Sequence, residues 1–231
     1  DHVILNRSLE KIAEWCNNWQ MSINTKKSVA MAVTRKKQPS NFVYKMNDIP
    51  LTFVNKHKYL GVTLTSDLRW NEHISNITAT ALRKLFFLRR CIRLAPAQTK
   101  LLAYKTFIRP VLEYANTVWF PQSLTNISRL ERIQRKALRF IHNKYKRTDS
   151  PTELAVISGL ETLSARAKLA RLKFLYQLLH NAFNIDLSQY VSLSHKRELR
   201  NHHAFTLTEF SCHSDAFKHS FFPLATSEWN C

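Results

Sequence analysis

Only two glycines and seven prolines occur in the 231 residues. Tight turns rely on these residues for positive or fixed φ, so an all-β protein full of short hairpins is excluded and a helix-rich chain is expected. Cysteine is equally sparse: Cys16, Cys91, Cys212 and Cys231 lie far apart, with no Cys-x-x-Cys pair. That layout supplies neither a disulfide framework nor a zinc knuckle, and it fits reduced thiols in an intracellular protein. No run approaches the roughly 18 to 20 uninterrupted apolar residues of a membrane span, and the first residues lack the charged-then-apolar layout of a signal peptide. Acids are the scarce charge. The sixteen Asp and Glu are scattered and no Asp-Asp dipeptide occurs, so the close carboxylate pair that holds two metals for phosphoryl transfer is missing. No acid cluster of a nuclease is visible either.

Cations are abundant. Thirty-five Lys and Arg give a formal net charge of +19 and a pI near 10.1, which points to a polyanionic partner, nucleic acid first and an acidic membrane surface second. The excess is concentrated. Between Thr80 and Arg147 sixteen Lys and Arg face only Glu113 and Glu131, a local net of +14. With 45% hydrophobic residues the chain is also long enough to bury a core, as one large domain or two small ones.

The hydrophobic period assigns the elements. Leu5, Leu9, Ile12, Cys16 and Trp19 recur at helical spacing, with Trp15 thickening the stripe, and predict a helix ending near Met21. Val29, Met31 and Val33 alternate with small residues as a buried strand does. Residues 35–41 read as a charged, proline-broken loop. Phe42, Tyr44 and Met46 alternate, and Leu51 to Val54 are expected to pair back across an Asn47-Asp48 turn. Tyr59 to Thr65 reads as a further strand, in which Gly61 admits a close backbone. After Trp70 the period becomes helical: Ile74, Ile77, Ala81, Leu85, Leu88 and Ile92 form one stripe. A second helix runs to Pro110, where a break is expected. Tyr114 and Trp119 are expected in the core, with Tyr114 and Glu113 as polar anchors the alternative. Ser128-Arg129-Leu130-Glu131 matches a capping box, with a start one turn earlier, at Thr125 or Asn126, as the alternative. A short helix from Thr152 closes at Gly159, and Leu163 to His180 is apolar on more than one side, hence largely buried. From Asn184 periodicity fades.

The expected fold is α+β and mostly α-helical. Residues 1–70 carry small β-hairpins, 71–148 basic helices, 149–183 a helical extension and 184–231 a polar tail. Arg129, Arg132, Lys136 and Arg139 share one helical face opposite an apolar seam, and Arg89, Arg90 and Arg93 add to the same field. Such a face follows a nucleic-acid backbone without reading sequence. A charge run is more often merely solvated, but here the acids that would neutralise it are nearly absent. The tail holds His195, His202, His203, Cys212, His213 and His219 without the paired spacing of a zinc site, so no metal is assigned. Lys27 reads either as a solvated turn lysine or as a functional one, with Lys26 its equal by chemistry.

The order of these features resembles the back half of reverse transcriptases from non-LTR (LINE-type) retrotransposons. The Trp-rich helix is followed by Asn24-Thr25-Lys26-Lys27-Ser28, then Tyr59-Leu60-Gly61, Trp70, the basic helices, and a tail of Phe221-Phe222-Pro223 with Glu228-Trp229. Each motif is weak alone; their order is specific, and together they span most of the chain. The resemblance implies a palm remnant and a helical thumb. It makes Tyr59, Leu60 and Gly61 a primer grip and Lys27 a general acid on the pyrophosphate side. It implies RNA template, DNA primer and RNA–DNA hybrid as partners, with no membrane, and Mg2+ for the intact nucleotidyltransferase but no cofactor in this fragment. By the same resemblance the chain starts just after the family's Asp pair, and alone it is not expected to synthesise DNA. An intracellular place, nuclear and cytoplasmic for the parent element, follows from the same likeness, whereas oligomeric state does not. The alternative reading is a non-enzymatic nucleic-acid-binding helical protein, domesticated or relic. A lipid-surface protein is weaker, because the basic helix lacks aromatics beside its arginines.

Overall fold

Helical spacing of apolar residues accounts for most of the computed structural model, which describes residues 2–34, 42–194 and 205–231. The fold is α+β and mostly α-helical, in two compact units, Asp1–His73 and Ile74–Cys231.

In the first unit α1 (His2–Asn18) ends three residues before Met21. Its last turn closes in a Schellman arrangement, with Met21 N–H donating to the Cys16 carbonyl at 2.8 Å and Gln20 left-handed at φ 55°. β1 (Val29–Ala30) is shorter than the alternation suggested, and Val33 is exposed. β2 (Lys45–Met46) and β3 (Ile49–Pro50) pair antiparallel across Asn47 and Asp48, whose φ values of 51° and 61° make the expected turn. Leu51 N–H continues that hairpin onto the Tyr44 carbonyl at 2.8 Å. β4 (Thr52–Phe53) instead pairs parallel with β1. β5 (Lys56–Tyr59) and β6 (Val62–Thr65) form a second antiparallel hairpin with Tyr59 opposite Val62. Tyr59 to Thr65 is therefore not one strand: Leu60 and Gly61 are its turn, at φ 45° and 86°. Asn6 clamps α1 to the sheet segment, donating to the Val43 carbonyl at 3.0 Å and accepting from Lys45 N–H at 3.1 Å. Burial in this unit is thin. Among the described residues it comprises Ala13, Met46, Val62, Thr63 and His73, while Leu5, Ile12, Trp15 and Trp19 of the α1 stripe stay exposed.

α2 (Asn71–Cys91) carries the predicted stripe: Ile74, Ala81, Leu85 and Leu88 are buried. α3 (Ala97–Ala103) runs without interruption into a π-helical turn (Tyr104–Ile108) and α4 (Arg109–Glu113). Pro110 was expected to break this helix. It does not, because the wider turn, with Arg109 N–H donating to the Tyr104 carbonyl, tolerates its missing donor. The break falls at Tyr114 and Ala115, the latter left-handed at φ 52°. Tyr114 is 57% exposed rather than core, and its carbonyl accepts from the indole N–H of the fully buried Trp119 at 2.7 Å. α5 (Asn116–Trp119) precedes α6 (Leu124–His142), which starts a full turn before Ser128. The capping box is therefore not formed at Ser128. Glu131 caps another helix: its carboxylate accepts from Ser164 N–H at 3.1 Å.

That helix is α8 (Leu163–Leu179), whose own cap Thr162 accepts from Ala165 N–H at 3.1 Å. Before it, α7 (Pro151–Ile157) is capped by Ser150 and closes at Gly159, φ 57°. α8 buries Leu163, Ala167, Arg171, Leu175 and Leu178 but exposes Leu169 and Tyr176, so it is two-sided rather than enclosed. After α9 (Asp215–Lys218), α10 (Phe221–Asn230) returns onto it. Leu175, Leu207 and Ala225 pack with Phe221 and Trp229. The Asn230 amide brackets Leu207, accepting its N–H at 3.0 Å and donating to its carbonyl at 2.8 Å.

Candidate nucleic-acid interface

The C-terminal half of α2 places cations on its outer face because its inner face is occupied by Ala81, Leu85 and Leu88. Arg89, Arg90 and Arg93 are all exposed there, and with Arg83 they line an open groove of about 1170 Å³. Phe86 and Leu94 of the same segment, Phe140 and Asn143 from the end of α6, and Tyr145 complete the lining; among the described residues no carboxylate enters it. The Arg89 guanidinium lies 5.4 Å from the Tyr145 ring centre and 5.9 Å from that of Phe86, an arrangement that orders the arginine by cation–π attraction. Beneath the groove Lys100 is 1% exposed. Its ammonium donates to Asn143 Oδ1 at 2.9 Å and lies 5.1 Å from the Phe140 ring centre, two residues that themselves line the groove.

The α6 stripe is a separate surface. Arg132 and Lys136 are exposed, whereas Arg129 and Arg139 are half-buried. Arg129 donates to Asn126 Oδ1 at 3.4 Å, and Arg139 Nε is buried without a hydrogen-bond partner. None of the four lines the groove. The structure thus gathers Arg89, Arg90 and Arg93 into one concavity and leaves Arg132 and Lys136 as the freely solvated members of the stripe.

The two acids in this stretch are both turned inward. Glu113 forms a two-pronged ion pair with Arg166, one prong at 3.1 Å, and Arg109 lies 3.7 Å away. The hydrogen bond to Glu113 holds the Arg166 guanidinium more firmly protonated than usual. Burial pushes the Glu131 carboxyl up, against the opposing pull of the backbone N–H groups of Ser164 and Leu163. Neither carboxylate lines the arginine groove.

In the first unit the Asn24–Ser28 segment is a turn, with Lys27 N–H donating to the Asn24 carbonyl at 3.0 Å. Lys27 and Lys26 are both exposed on it. Tyr59, Leu60 and Gly61 occupy the tip of the β5–β6 hairpin, where Tyr59 is 61% and Leu60 72% exposed. A leucine in the left-handed region and largely in water is doubly unfavourable locally, the kind of strain that concentrates at working surfaces.

Sequence reasoning did not find the groove's aromatic component. Its signal was Tyr145 standing alone within Asn143-Lys144-Tyr145-Lys146-Arg147, an aromatic interleaved with cations. Among the described residues no group of three His, Cys, Asp or Glu is placed to hold a metal, and no helix is long and apolar enough to cross a membrane. His195, His202 and His203 lie outside the described residues.

Comparison with known proteins gives the family context. The chain is 30% identical over 135 residues to a probable RNA-directed DNA polymerase from transposon X-element of Drosophila melanogaster, a match covering 57% of this chain and 15% of the relative. It is 25% identical over 141 residues to the probable RNA-directed DNA polymerase from transposon BS of the same species, covering 59% and 16%. With the RNA-directed DNA polymerase from mobile element jockey of Drosophila funebris it shares 28% identity over 140 residues, again 59% and 15%. No family model and no solved structure matches. The matched region spans about a sixth of the length of these relatives. Over more than half of its own length, the chain carries the likeness to RNA-directed DNA polymerases of non-LTR mobile elements that its motifs suggested.

Proposed function

We propose that this chain is the part of an RNA-directed DNA polymerase that holds the RNA–DNA hybrid of template and primer, through phosphate contacts from the exposed cations of α6, Arg132 and Lys136. One observation carries the reading. A stretch with a local net charge of +14 has both of its acids engaged inward, Glu113 by Arg166 and Glu131 by Ser164. Its outer cations are left to a polyanion, and the likeness to RNA-directed DNA polymerases supports a nucleic-acid duplex as that polyanion. Contacts of this kind go to the backbone and are indifferent to sequence, as a polymerase copying any template requires. The exposed tip Tyr59-Leu60-Gly61 belongs to the same reading as the contact for the primer end. Nucleotide addition lies outside it. The sequence has no Asp-Asp pair, and the proposal leaves the carboxylates that would hold Mg2+ to another part of a polymerase.

The test is binding of a labelled RNA–DNA hybrid across a salt series. The expected slope of log affinity against log salt is steep, and the Arg132→Ala/Lys136→Ala double variant lowers it by about two units, one per lost phosphate contact. A folded chain that fails to bind the hybrid, or a slope untouched by the double variant, overturns the proposal.

A further inference from the structure

We infer that the groove between the end of α2 and the end of α6 is a site for an unpaired nucleic-acid strand, distinct from the duplex-holding stripe: arginines take its phosphates and Tyr145 stacks a base. The inference rests on the nucleic-acid reading above and adds a second, differently built surface to it.

The lining decides the ligand class. Arg83, Arg89, Arg90 and Arg93 supply positive charge with no carboxylate among them, which selects an anion. Charge alone would serve a duplex equally well, but the rings do not. Phe86 is 46% exposed and Tyr145 49% exposed within this cation-lined hollow. In a duplex the base faces are stacked on one another and closed to such rings. An unpaired strand offers them freely, and aromatic side chains beside arginines are how single strands are gripped without regard to sequence. Arg89, 5.4 Å from the Tyr145 ring centre, fits that mode, because guanidinium and base are both flat partners for the phenol ring.

Size agrees. About 1170 Å³ lies just above the roughly 300 to 1,000 Å³ of ordinary small-ligand pockets, room for a nucleotide or a few.

Lys100 gives independent support. It is a buried ammonium whose hydrogen-bond partner is the neutral Asn143, and no salt bridge to a carboxylate is found for it among the described residues. A buried cation without a counter-ion is costly. Its partners Asn143 and Phe140 are groove residues, so the Lys100 charge adds to the positive potential of the groove from behind its lining.

Fluorescence anisotropy of the full chain with a short labelled oligouridylate, and in parallel with a blunt RNA–DNA hybrid, separates the two surfaces. Tyr145→Ala is expected to weaken oligouridylate binding between about fivefold and 150-fold, the range for loss of one base stack, and to leave hybrid binding within about twofold. Tyr145→Phe retains the ring and the affinity. Arg90→Ala lowers the single-strand salt slope by about 0.7 for one lost phosphate. The Arg132→Ala/Lys136→Ala variant weakens the hybrid and spares the oligouridylate. The inference is overturned if Tyr145→Ala leaves oligouridylate affinity unchanged, if Tyr145→Phe is as weak as Tyr145→Ala, or if polyglutamate competes as well as the oligouridylate. Hybrid binding that fails while the Tyr145 dependence holds would sink the duplex proposal and leave this one standing.

Discussion

The pairing of Arg171 with Glu228 ties α10 to α8 and gives the sharpest stability prediction. The two groups form a two-pronged contact, Nε to Oε2 at 2.9 Å and Nη2 to Oε1 at 2.6 Å. Only 4% of the arginine side chain and 17% of the glutamate are exposed. The guanidinium also lies 5.8 Å from the Phe120 ring centre, and its Nη1 is buried without a hydrogen-bond partner. Glu228→Gln keeps the shape but removes the charge and turns an amide N–H₂ toward guanidinium donors. Breaking a buried pair from one side costs about 3 to 5 kcal/mol, because the surviving charge stays desolvated. Partial exposure of Glu228 puts the expectation at the lower end, about 3 kcal/mol. At roughly 2 to 4 °C per kcal/mol for a unit of this size, the melting temperature falls by about 6 to 12 °C. Replacing both partners together, Arg171→Met with Glu228→Leu, leaves no stranded charge and should be close to neutral. Urea titrations followed by far-ultraviolet circular dichroism on the single and double variants measure both. A loss below about 1 kcal/mol for Glu228→Gln, or a double variant as damaged as the single one, would refute the claim that the pair is held in a low-dielectric setting.

Two further outcomes follow from the first unit. His73 is buried, and its Nδ1 faces the Thr63 N–H at 3.2 Å; a backbone N–H can only donate, so the imidazole is neutral there. Burial, and secondarily Lys58, push its pKa below the ordinary 6.5. The unfolded chain therefore binds the proton more readily, and the stabilisation is complete above about pH 6.5 and lost as pH falls toward the lowered folded value. The protection of the Thr63 amide, its exchange rate relative to the unfolded-chain rate at the same pH, should fall on acidification through that window, and unchanged protection at about pH 5 would count against it. The second outcome concerns the hairpin tip, where Leu60 and Gly61 at φ 45° and 86° fill a turn that prefers Asn-Gly. Leu60→Asn should stabilise the hairpin by about 0.5 to 1 kcal/mol, measured by denaturant titration, while primer extension by an intact polymerase carrying it declines. Extension at the wild-type rate would remove the functional explanation for that leucine.

The elements most legible in the sequence were those in which one face alone is apolar. The α2 stripe could be read because Ile74, Ala81, Leu85 and Leu88 are buried on one side and cations occupy the other. Two boundaries failed for reasons that lie outside local pattern. Pro110 stands inside a helical run because a π turn widened to receive it, and nothing in the one-dimensional spacing announces a change of hydrogen-bond partner from the fourth to the fifth residue. Ser128 and Glu131 have capping spacing, yet Glu131 spends its carboxylate on Ser164, 33 residues away, a tertiary contact that overrode the local signal. The β5–β6 turn was hidden in a different way. A leucine at its first position reads as strand, because leucine seldom adopts positive φ, so the strain that makes the tip noteworthy also concealed it.

The site was partly legible for a related reason. Charge is conspicuous in sequence whether or not it is gathered, so Arg89, Arg90 and Arg93 could be named while their concavity could not. Periodicity also ranked the four α6 cations as equals, although Arg129 leans on Asn126 and Arg139 is half-buried, leaving Arg132 and Lys136 as the free pair. Lys100 was the least accessible to inspection. It follows Thr99 in an ordinary amphipathic helix and looks like one more solvated cation, yet it is as buried as the neighbouring Tyr104. Burying an ammonium against a neutral amide is unfavourable in isolation, and the Phe140 ring 5.1 Å away offsets part of that cost beneath the groove. Lys100 therefore fixes two residues of the groove wall, Asn143 and Phe140, and lends its charge from behind them, while the exposed arginines are the groups that a phosphate reaches.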